Sequence, residues 1–255
     1  MTGRLEGKRA LVTGAGSGIG RAAAIKLAEE GAAVGVLDIN LDAAEQVVGC
    51  IRDNGHDAVA LRVDVGDEEQ VATAVNKVVA KFGGLDVLIP NAGVMLFGRD
   101  TTVTELDLKT WQATIDVNLT GMFLTCKHGF RALLQNGRGS VVITSSPTGV
   151  LGCAPPYTAY SSSKAGTFGL MRLLAADYVK HNIRVNAVLP GTTNSPLVTT
   201  LMEDPGKRVE FLSKIPMGRA AEPREIANVI AFLASDEASF VTGAAWFADG
   251  GLSAI

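Results

Sequence analysis

The stretch "TGAGSGIG", Thr13–Gly20, decides the fold, because it sets Gly14, Gly18 and Gly20 between an apolar strand and a helix. The residues "RALV" lead into it, and "GRAAAIKLAEEG" follows with apolar residues at helical spacing. Glycines at such a turn permit positive φ and a close approach to a ligand, and the first helical turn offers free N–H groups to a pyrophosphate. The spacing differs from GxGxxG, so a tight loop without a ligand remains the alternative interpretation.

The alternation of apolar strand and amphipathic helix continues to the end of the chain. Segments such as "DEEQVATAVNKVVAKFG", Asp67–Gly83, carry apolar residues at helical spacing. Val, Ile and Leu strands between such helices indicate a parallel sheet covered on both faces, hence a doubly wound α/β fold. The predicted strands are Arg9–Gly14, Ala33–Ile39, Ala58–Val65, Leu85–Asn91, Ser140–Ser146, Arg184–Pro190 and Ala244–Gly250.

No linker, charge run or internal repeat divides the chain, so we predict one domain, residues 1–255. The one long stretch outside the alternation is Pro190–Pro216. Long insertions in compact domains are usually functional, and we predict that residues 192–216 form a lid over a substrate.

Composition excludes several kinds of partner. A net charge of −3 gives no reason to expect nucleic acid or an anionic membrane surface. No signal peptide or membrane-spanning run is present in the sequence, and Cys50, Cys126 and Cys153 form no CxxC pair. The histidines lack ligand spacing as well, so we expect reduced thiols, no metal site and a cytoplasmic protein.

A carboxylate, Asp38, closes the second predicted strand about 20 residues after the glycine turn, where it would accept hydrogen bonds from the ribose hydroxyls of a dinucleotide. Asp64 and Val65 close the third strand, where an adenine could rest against them. Asp64 could instead cap the helix that begins near Asp67.

The stretch "YTAYSSSKAG", Tyr157–Gly166, places Lys164 four residues after Tyr160, on the same helix face. Lowering a phenol pKa from about 10 to about 7 requires about 4 kcal/mol, which an ammonium about 4 Å away supplies at an effective dielectric of about 20. The pair therefore predicts a general base, with Tyr157 as a bystander. Such spacing also occurs on plain surface helices, but its place after strand five, behind the glycine turn, favours catalysis.

The order of these motifs resembles that of the short-chain dehydrogenase/reductase family. The resemblance runs through "GKRALVTGAGSGIG", "DVNLTGMF", "VVITSSPTG", "YSSSK", "IRVNAVLPG" and "ADGG". It implies one Rossmann-like domain with seven parallel strands, a homotetramer, and hydride transfer between a nicotinamide cofactor and a secondary alcohol or ketone.

The resemblance adds two residues to the catalytic pair. Ser146, three residues before Gly149, matches the family's serine that orients the substrate oxygen, with Ser145 as the fallback and a plain turn residue as the alternative. Asn118 matches the asparagine that bends a helix and holds a water against the lysine, although a purely structural asparagine remains open. The predicted catalytic residues are Asn118, Ser146, Tyr160 and Lys164.

The resemblance also implies the cofactor contacts. The family's "NNAG" occurs here as "PNAG", with Pro90 at a strand end where a proline disfavours pairing. "PGTTNSP" resembles the segment that binds the nicotinamide carboxamide. The predicted cofactor-binding residues are Gly14, Ser17, Gly18, Ile19, Gly20, Asp38, Ile39, Asp64, Val65, Asn91, Ala92, Gly93, Tyr160, Lys164, Pro190, Gly191, Thr193 and Ser195.

The predicted cofactor is NAD, because Asp38 would repel the 2′-phosphate of NADP. Family members that use NADP carry a basic residue where this chain has Ser17 or Ile39. Arg62 is the nearest cation, and we expect it not to reach the phosphate.

The predicted substrate is an apolar or cyclic secondary alcohol, because apolar residues flank the motifs and fill the insertion. They could instead simply pack the lid. Two other functions are weighed: a methyltransferase, which has no use for the Ser146–Tyr160–Lys164 set, and a catalytically silent dinucleotide sensor, which would tolerate its loss. The apolar residues are Met95, Phe97, Pro147, Cys153, Tyr157, Leu197, Leu201, Met202 and Phe211.

Overall fold

Seven parallel strands form one sheet in the order β3-β2-β1-β4-β5-β6-β7, in a computed structural model that describes residues 3–154, 156–198, 209 and 212–254. The order reverses between β1 and β4, and the crevice at such a reversal is the usual ligand site of open α/β sheets. The predicted doubly wound α/β fold is confirmed. The strands are β1 Arg9–Thr13, β2 Ala33–Asp38, β3 Ala58–Arg62, β4 Val87–Ile89, β5 Gly139–Thr144, β6 Ile183–Pro190 and β7 Ala245–Ala248.

Helices cover both faces of the sheet. On β1, Val12 packs into a core with α1, α2 and α7, whereas its neighbour Leu11 packs into a second core with α3, α5 and α6. Because both faces are buried, the strands need apolar residues at consecutive positions, which explains their unbroken apolar runs. None of the helices described is long and apolar enough to cross a membrane. The α-helices that lie entirely within the described residues are α1 Gly18–Glu29, α2 Leu41–Asp53, α3 Glu68–Phe82, α4 Leu108–Ile115, α5 Gly121–Asn136, α6 Thr158–Tyr178 and α7 Pro223–Ala234.

Strand β3 is shorter than predicted. The β2–β3 ladder ends with the pair Asp38 and Arg62, because β2 offers no partner beyond that point. Asp64 and Val65 therefore lie in the following turn, not at the strand end, and the Asp64 carboxylate accepts the amide of Gly66 at 2.9 Å. The alternative role of Asp64 as a helix cap is also wrong, since Asp67 caps α3.

Strand β4 spans only Val87–Ile89 instead of the predicted Leu85–Asn91. Pro90 follows it directly, and a proline has no N–H to donate to the ladder. The Pro90 carbonyl nevertheless accepts the Thr144 amide at 3.1 Å, so one hydrogen bond to β5 persists beyond the strand.

The predicted lid, residues 192–216, lies only partly within the part of the chain that the structure describes. Residues 199–208, 210 and 211 are not described, and they include Leu201, Met202 and Phe211 from the predicted apolar set.

Candidate active site

A cavity of about 410 Å³ lies at the carboxyl ends of the strands, where the strand order reverses. Every predicted cofactor-binding residue lines it, and so does Ser146. Asn118 is the one predicted site residue that does not. Of the predicted apolar residues that the structure describes, all line the cavity, namely Met95, Phe97, Pro147, Cys153, Tyr157 and Leu197.

The glycine turn fits a dinucleotide pyrophosphate. Gly14 has φ +61°, and a Cβ atom there would lie 2.8 Å from Ala92 Cα, so only glycine allows the two backbones to approach this closely. Ser17 stands at the N-cap of α1 without a side-chain capping bond, and the first turn of α1 has no acidic residue. The N–H groups and the positive end of α1 therefore face the cavity, and the first turn of α1 itself carries no carboxylate that would oppose an anion.

Asp38 is fixed at the end of β2 by two backbone amides. Its Oδ2 accepts Gly16 N at 2.8 Å and its Oδ1 accepts Asn40 N at 2.9 Å. Arg62 stands in register with Asp38 on β3, so the two backbones are about 4.8 Å apart. Arg62 is thus closer to Asp38 than the sequence suggested, although its side chain is exposed and none of the ion pairs among the described residues joins the two.

Thr13 joins the ends of β1 and β4, a role that the sequence analysis missed. Its hydroxyl accepts the amides of Asn91 and Ala92 at 3.0 and 3.2 Å. The Asn91 side chain donates back to the carbonyls of Thr13 and Gly14. A hydroxyl residue directly before the first glycine of the turn was the available signal.

The segment after β6 closes the cavity on the far side. Gly191 approaches the backbone of Asp249, where a Cβ atom would lie 2.6 Å from Asp249 Cα. Thr193 is buried, and its hydroxyl donates to the Gly191 carbonyl at 3.1 Å. A Cβ atom on Gly18 would lie 3.0 Å from Ser195 Cβ, so this segment packs against the glycine turn.

Ser146, Tyr160 and Lys164 all line the cavity; the Tyr160–Lys164 pair was predicted from its spacing and Ser146 from the family resemblance. The Ser146 side chain lies beside the Tyr160 phenol, and its oxygen accepts the Thr148 amide at 3.3 Å and the Thr148 hydroxyl at 3.1 Å. The Ser145 hydroxyl is instead engaged on α6, with the Lys164 carbonyl at 3.3 Å and the Thr167 hydroxyl at 3.1 Å. Of the two serines, Ser146 is therefore the one that can present its hydroxyl to a substrate oxygen.

Burial governs the protonation of the pair. Tyr160 is 9% exposed and Lys164 4% exposed. Desolvation raises the pKa of Tyr160 above its ordinary value, opposed by the hydrogen bond from Ser146, and it lowers the pKa of Lys164 to about 8. Lys164 Nζ lies 5.7 Å from the Tyr160 ring centroid and donates to the Thr144 carbonyl at 3.0 Å. In the chain itself the phenol pKa thus moves opposite to the direction that the Tyr160–Lys164 spacing predicted, because both groups are desolvated.

Asn118 lies in a π-helical segment, Asp116–Thr120, between α4 and α5. Its Oδ1 accepts Val94 N at 2.7 Å, and its Nδ2 donates to the Val94 carbonyl and to Ser163 Oγ. Ser163 Oγ in turn donates to the Tyr160 carbonyl at 2.7 Å. The buried side chain therefore links the loop after β4 to α6, which is a structural role. Its role in holding a water stays a prediction.

Asp100 is a second residue that the sequence analysis missed. Its carboxylate accepts the amides of Ala159 and Tyr160 at 3.0 and 2.8 Å. These partners lie 59 and 60 residues further along the chain, so no local motif reveals the contact. The available signal was the N-cap of α6, Tyr157, which is not one of the residue types that cap helices.

Two aromatic rings form part of the remaining wall of the cavity. The rings of Phe97 and Tyr157 meet edge to face, with centroids 5.5 Å apart and an interplanar angle of 87°. Burial raises the pKa of the Tyr157 phenol, and the negative charge of Asp100 adds to that effect. Tyr157 is therefore neutral at physiological pH and serves as an uncharged wall.

The chain is similar to known oxidoreductases over nearly its whole length. A family model described as enoyl-(acyl carrier protein) reductase matches residues 14–253. The chain is 45% identical over 246 residues to a cis-4-hydroxycyclohexanecarboxylate dehydrogenase of Sinomonas cyclohexanicum, covering 96% of each chain. It is 42% identical to a 2,5-dichloro-2,5-cyclohexadiene-1,4-diol dehydrogenase of Sphingobium indicum, covering 98% of this chain and 99% of the relative.

Solved structures agree as well. A short-chain type dehydrogenase/reductase from Mycobacterium marinum superimposes with a TM-score of 0.93 at 34% identity, covering 98% of this chain and 97% of that one. A structure from Beutenbergia cavernae that contains NADP at low occupancy superimposes with a TM-score of 0.92 at 34% identity, covering 98% of each chain. The chain therefore belongs to the short-chain dehydrogenase/reductase family of oxidoreductases.

Proposed function

We propose that the protein is an NAD-dependent dehydrogenase that interconverts a cyclic secondary alcohol and its ketone. The observation that carries the proposal is the meeting of Ser146, Tyr160 and Lys164 in a buried cavity that also contains the glycine turn and Asp38. A silent dinucleotide sensor has no need of that set, and neither has a methyltransferase. The names of two relatives point to hydroxylated six-membered carbon rings as the substrate class.

In the proposed reaction Ser146 hydrogen-bonds the substrate oxygen and holds it beside the Tyr160 phenol. Tyr160 takes the hydroxyl proton in oxidation and returns it in reduction. When bound, NAD supplies the hydride acceptor and a positive charge beside the phenol. That charge opposes the burial that raises the phenol pKa in the chain alone.

Lys164 is suited to pass a proton on. Its ammonium is anchored on the Thr144 carbonyl, and its pKa of about 8 allows it to gain or lose a proton near neutral pH. We propose that Lys164 also binds the nicotinamide ribose, and that Asn118 supports the proton path beyond it.

The cofactor-binding roles follow from the positions around the cavity. We propose that the glycine turn and the N-terminus of α1 bind the pyrophosphate and that Asp38 accepts the adenosine ribose hydroxyls. Asn91, Ala92 and Gly93 contact the second ribose, and the segment Pro190–Ser195 holds the nicotinamide carboxamide.

The substrate class follows from the aromatic and aliphatic wall. Met95, Phe97, Pro147, Tyr157 and Leu197 favour a hydrophobic ring over a free sugar, because a polyhydroxylated substrate would lose hydrogen bonds to water without replacement. Residues 192–216 are proposed to complete this wall as a lid.

The first prediction tests this function directly. NADH formation at 340 nm is measured with NAD and a panel that contains cyclohexanol, substituted cyclohexanols, cyclic diols and free sugars. We expect the highest kcat/KM for the cyclohexanol-type substrates. A clear preference for polyhydroxylated substrates contradicts the substrate class, and absence of turnover with the whole panel favours the silent sensor.

We also propose a homotetramer in the cytoplasm, as the family resemblance and the unpaired cysteines suggest. Large apolar side chains stand exposed on and near the terminal strand β7, among them Phe240, Trp246 and Phe247. Burial of such a patch against another copy would remove it from water. Light scattering coupled to size exclusion measures the mass, and a monomer at micromolar concentration contradicts the proposal.

A further inference from the structure

Asp100 lies in the loop between β4 and α4 and is 4% exposed. Both of its carboxylate oxygens are directed at the first turn of α6. Oδ1 accepts Ala159 N at 3.0 Å, and Oδ2 accepts Tyr160 N at 2.8 Å. The second of these amides belongs to the residue that carries the phenol.

Helix α6 depends on this contact because it has no cap of its own. The first N–H groups of a helix have no partner within the helix and need an acceptor from elsewhere. In α2, α3 and α4 the preceding residue supplies it, namely Asn40, Asp67 and Asp107. Tyr157, which precedes α6, makes no side-chain capping bond.

The same loop forms part of the cavity wall. Phe97, three residues before Asp100, packs its ring against Tyr157, and Val94 and Met95 also line the cavity. The Asp100 amide donates to the Leu96 carbonyl at 2.9 Å, which ties the carboxylate to this part of the loop. The substrate wall and the start of α6 are therefore joined through one side chain.

We propose that Asp100 is a positioning residue for Tyr160. Its carboxylate fixes the first turn of α6 against the loop after β4, so that the phenol stays within reach of Ser146 and of a substrate held by Phe97 and Tyr157. Asp100 itself touches neither substrate nor cofactor. This inference rests on the proposed function in that it assigns the proton transfer to Tyr160.

The test compares Asp100→Ala and Asp100→Asn with a matched control, Asp67→Ala. Asp67 also accepts two first-turn amides, those of Glu69 and Gln70 at 3.0 and 3.1 Å, but it caps α3 and does not line the cavity. The measurements are kcat and KM with cyclohexanol, the Kd of NAD by fluorescence, the melting temperature, and hydrogen exchange of the peptides that contain the starts of α3 and α6.

For Asp100→Ala we expect kcat to fall about 10- to 100-fold, since small misplacements of a reacting group have effects of that size. The Kd of NAD should stay within about threefold, because the glycine turn and Asp38 are untouched. The kcat of Asp100→Asn should lie between those of Asp100→Ala and the wild type, because the asparagine amide oxygen remains as one acceptor. Asp67→Ala should lower the melting temperature and retain kcat.

Hydrogen exchange provides a readout that needs no turnover. In Asp100→Ala the peptide with Ala159 and Tyr160 should exchange faster, while the start of α3 stays protected, and the reverse should hold in Asp67→Ala. If the wild type oxidises no cyclic alcohol, the proposed function fails, while unchanged exchange at the start of α6 in the Asp100 variants overturns the positioning role separately.

The kcat values of the variants also test the positioning role of Asp100. A kcat of Asp100→Ala within about twofold of wild type overturns the inference, and so does an equal loss of kcat in Asp67→Ala. If Asp100→Ala does not fold, Asp100→Asn decides alone, and a wild-type kcat in that variant overturns the inference.

Discussion

The phenol of Tyr160 lies in the cavity with Ser146 and Lys164. In the proposed reaction it exchanges a proton with the substrate oxygen that Ser146 holds. The second prediction is that Tyr160→Phe lowers kcat by about 10²-fold or more, since the proton acceptor is removed and the ring stays. NAD affinity should change only a few-fold, which fluorescence titration measures.

Tyr157→Phe is the matched control for that variant. It removes a phenol from the same end of α6, where Tyr157 serves as wall and not as base, and it should retain most of kcat. A Tyr160→Phe variant that keeps more than about a tenth of the wild-type rate would show that the assigned base is wrong.

The burial of Lys164 makes the stability of the fold depend on pH. Its pKa is about 8 in the fold against 10.5 ordinarily, because burial disfavours the ammonium. Below pH 8 both folded and unfolded chains carry the proton, and the fold bears the full cost of the buried charge. Between pH 8 and 10.5 the folded state loses its proton first, and the cost disappears as pH rises.

The third prediction follows from that sign. Lys164→Met removes the buried ammonium and should gain more stability over wild type at pH 7 than at pH 10, as melting temperatures at both pH values will show. Lys127→Met is the control, because Lys127 pairs with Glu68 at the surface. A difference between Lys164→Met and wild type that is constant across this range would contradict the depressed pKa.

At the scale of single residues, motif spacing predicted Tyr160 and Lys164, and the family resemblance added Ser146. Spacing could not predict the direction of the Tyr160 pKa, because that depends on how much water the surrounding elements exclude. It could not predict Asp100 either, since its amide partners come from a distant segment.

At the scale of elements, we expect the end of β2 to determine the choice between NAD and NADP. The fourth prediction is that NAD is preferred over NADP by at least about a hundredfold in kcat/KM, because a carboxylate about 4 Å from a phosphate charge costs about 4 kcal/mol at an effective dielectric of about 20. Asp38→Ala with Ile39→Arg should narrow that gap, since the side chain of Ile39 is 60% exposed and a cation there is free to reach the phosphate.

Arg62→Ala is the control for this prediction, because the sheet register places Arg62 beside Asp38. There Arg62 could attract a 2′-phosphate and weaken the preference. If it does, Arg62→Ala should widen the gap between NAD and NADP. Equal rates with both cofactors in the unmodified enzyme would show that Asp38 does not face the ribose.

Sequence pattern predicted the order of strands and helices but extended every strand except β6 past its observed carboxyl end, β3 the furthest. The end of a strand is set by its neighbour, and β3 stops at Arg62 because β2 stops at Asp38. An apolar run such as "LRVDV" does not carry that information. At Pro90 the sequence did carry it, since a residue without an N–H cannot continue the ladder.

At the scale of the whole molecule, the carboxyl ends and the amino ends of the strands differ in function. The carboxyl ends of the strands form the cavity, while the amino end of β1 carries a polar cluster. Arg9 donates to Asp86 at 2.6 Å, and Asn136 donates to the other oxygen of Asp86 at 2.8 Å. Burial would raise the pKa of Asp86, but these hydrogen bonds outweigh it and hold the pKa below its ordinary value.

The fifth prediction is that Asp86→Ala costs about 3 kcal/mol of unfolding free energy, because it leaves the Arg9 guanidinium without its buried partner. Denaturant titration measures the loss, and the KM values for alcohol and NAD should stay unchanged. A shift in either KM with no loss of stability would show that the Asp86 cluster at the amino ends of the strands affects the cavity at their carboxyl ends.

The π-helical segment Asp116–Thr120 makes α4 and α5 one continuous helix with a surplus residue. A π-helical turn absorbs one extra residue as a local bulge in an α-helix, so deletion of Leu119 would restore a regular helix and change the direction of the side chains in the bulge, Asn118 among them. The amide of Asn118 would then leave Val94, and the loop with Asp100 would lose its anchor. One inserted residue thus sets the direction of the Asn118 side chain, which joins the loop after β4 to α6 through Val94 and Ser163.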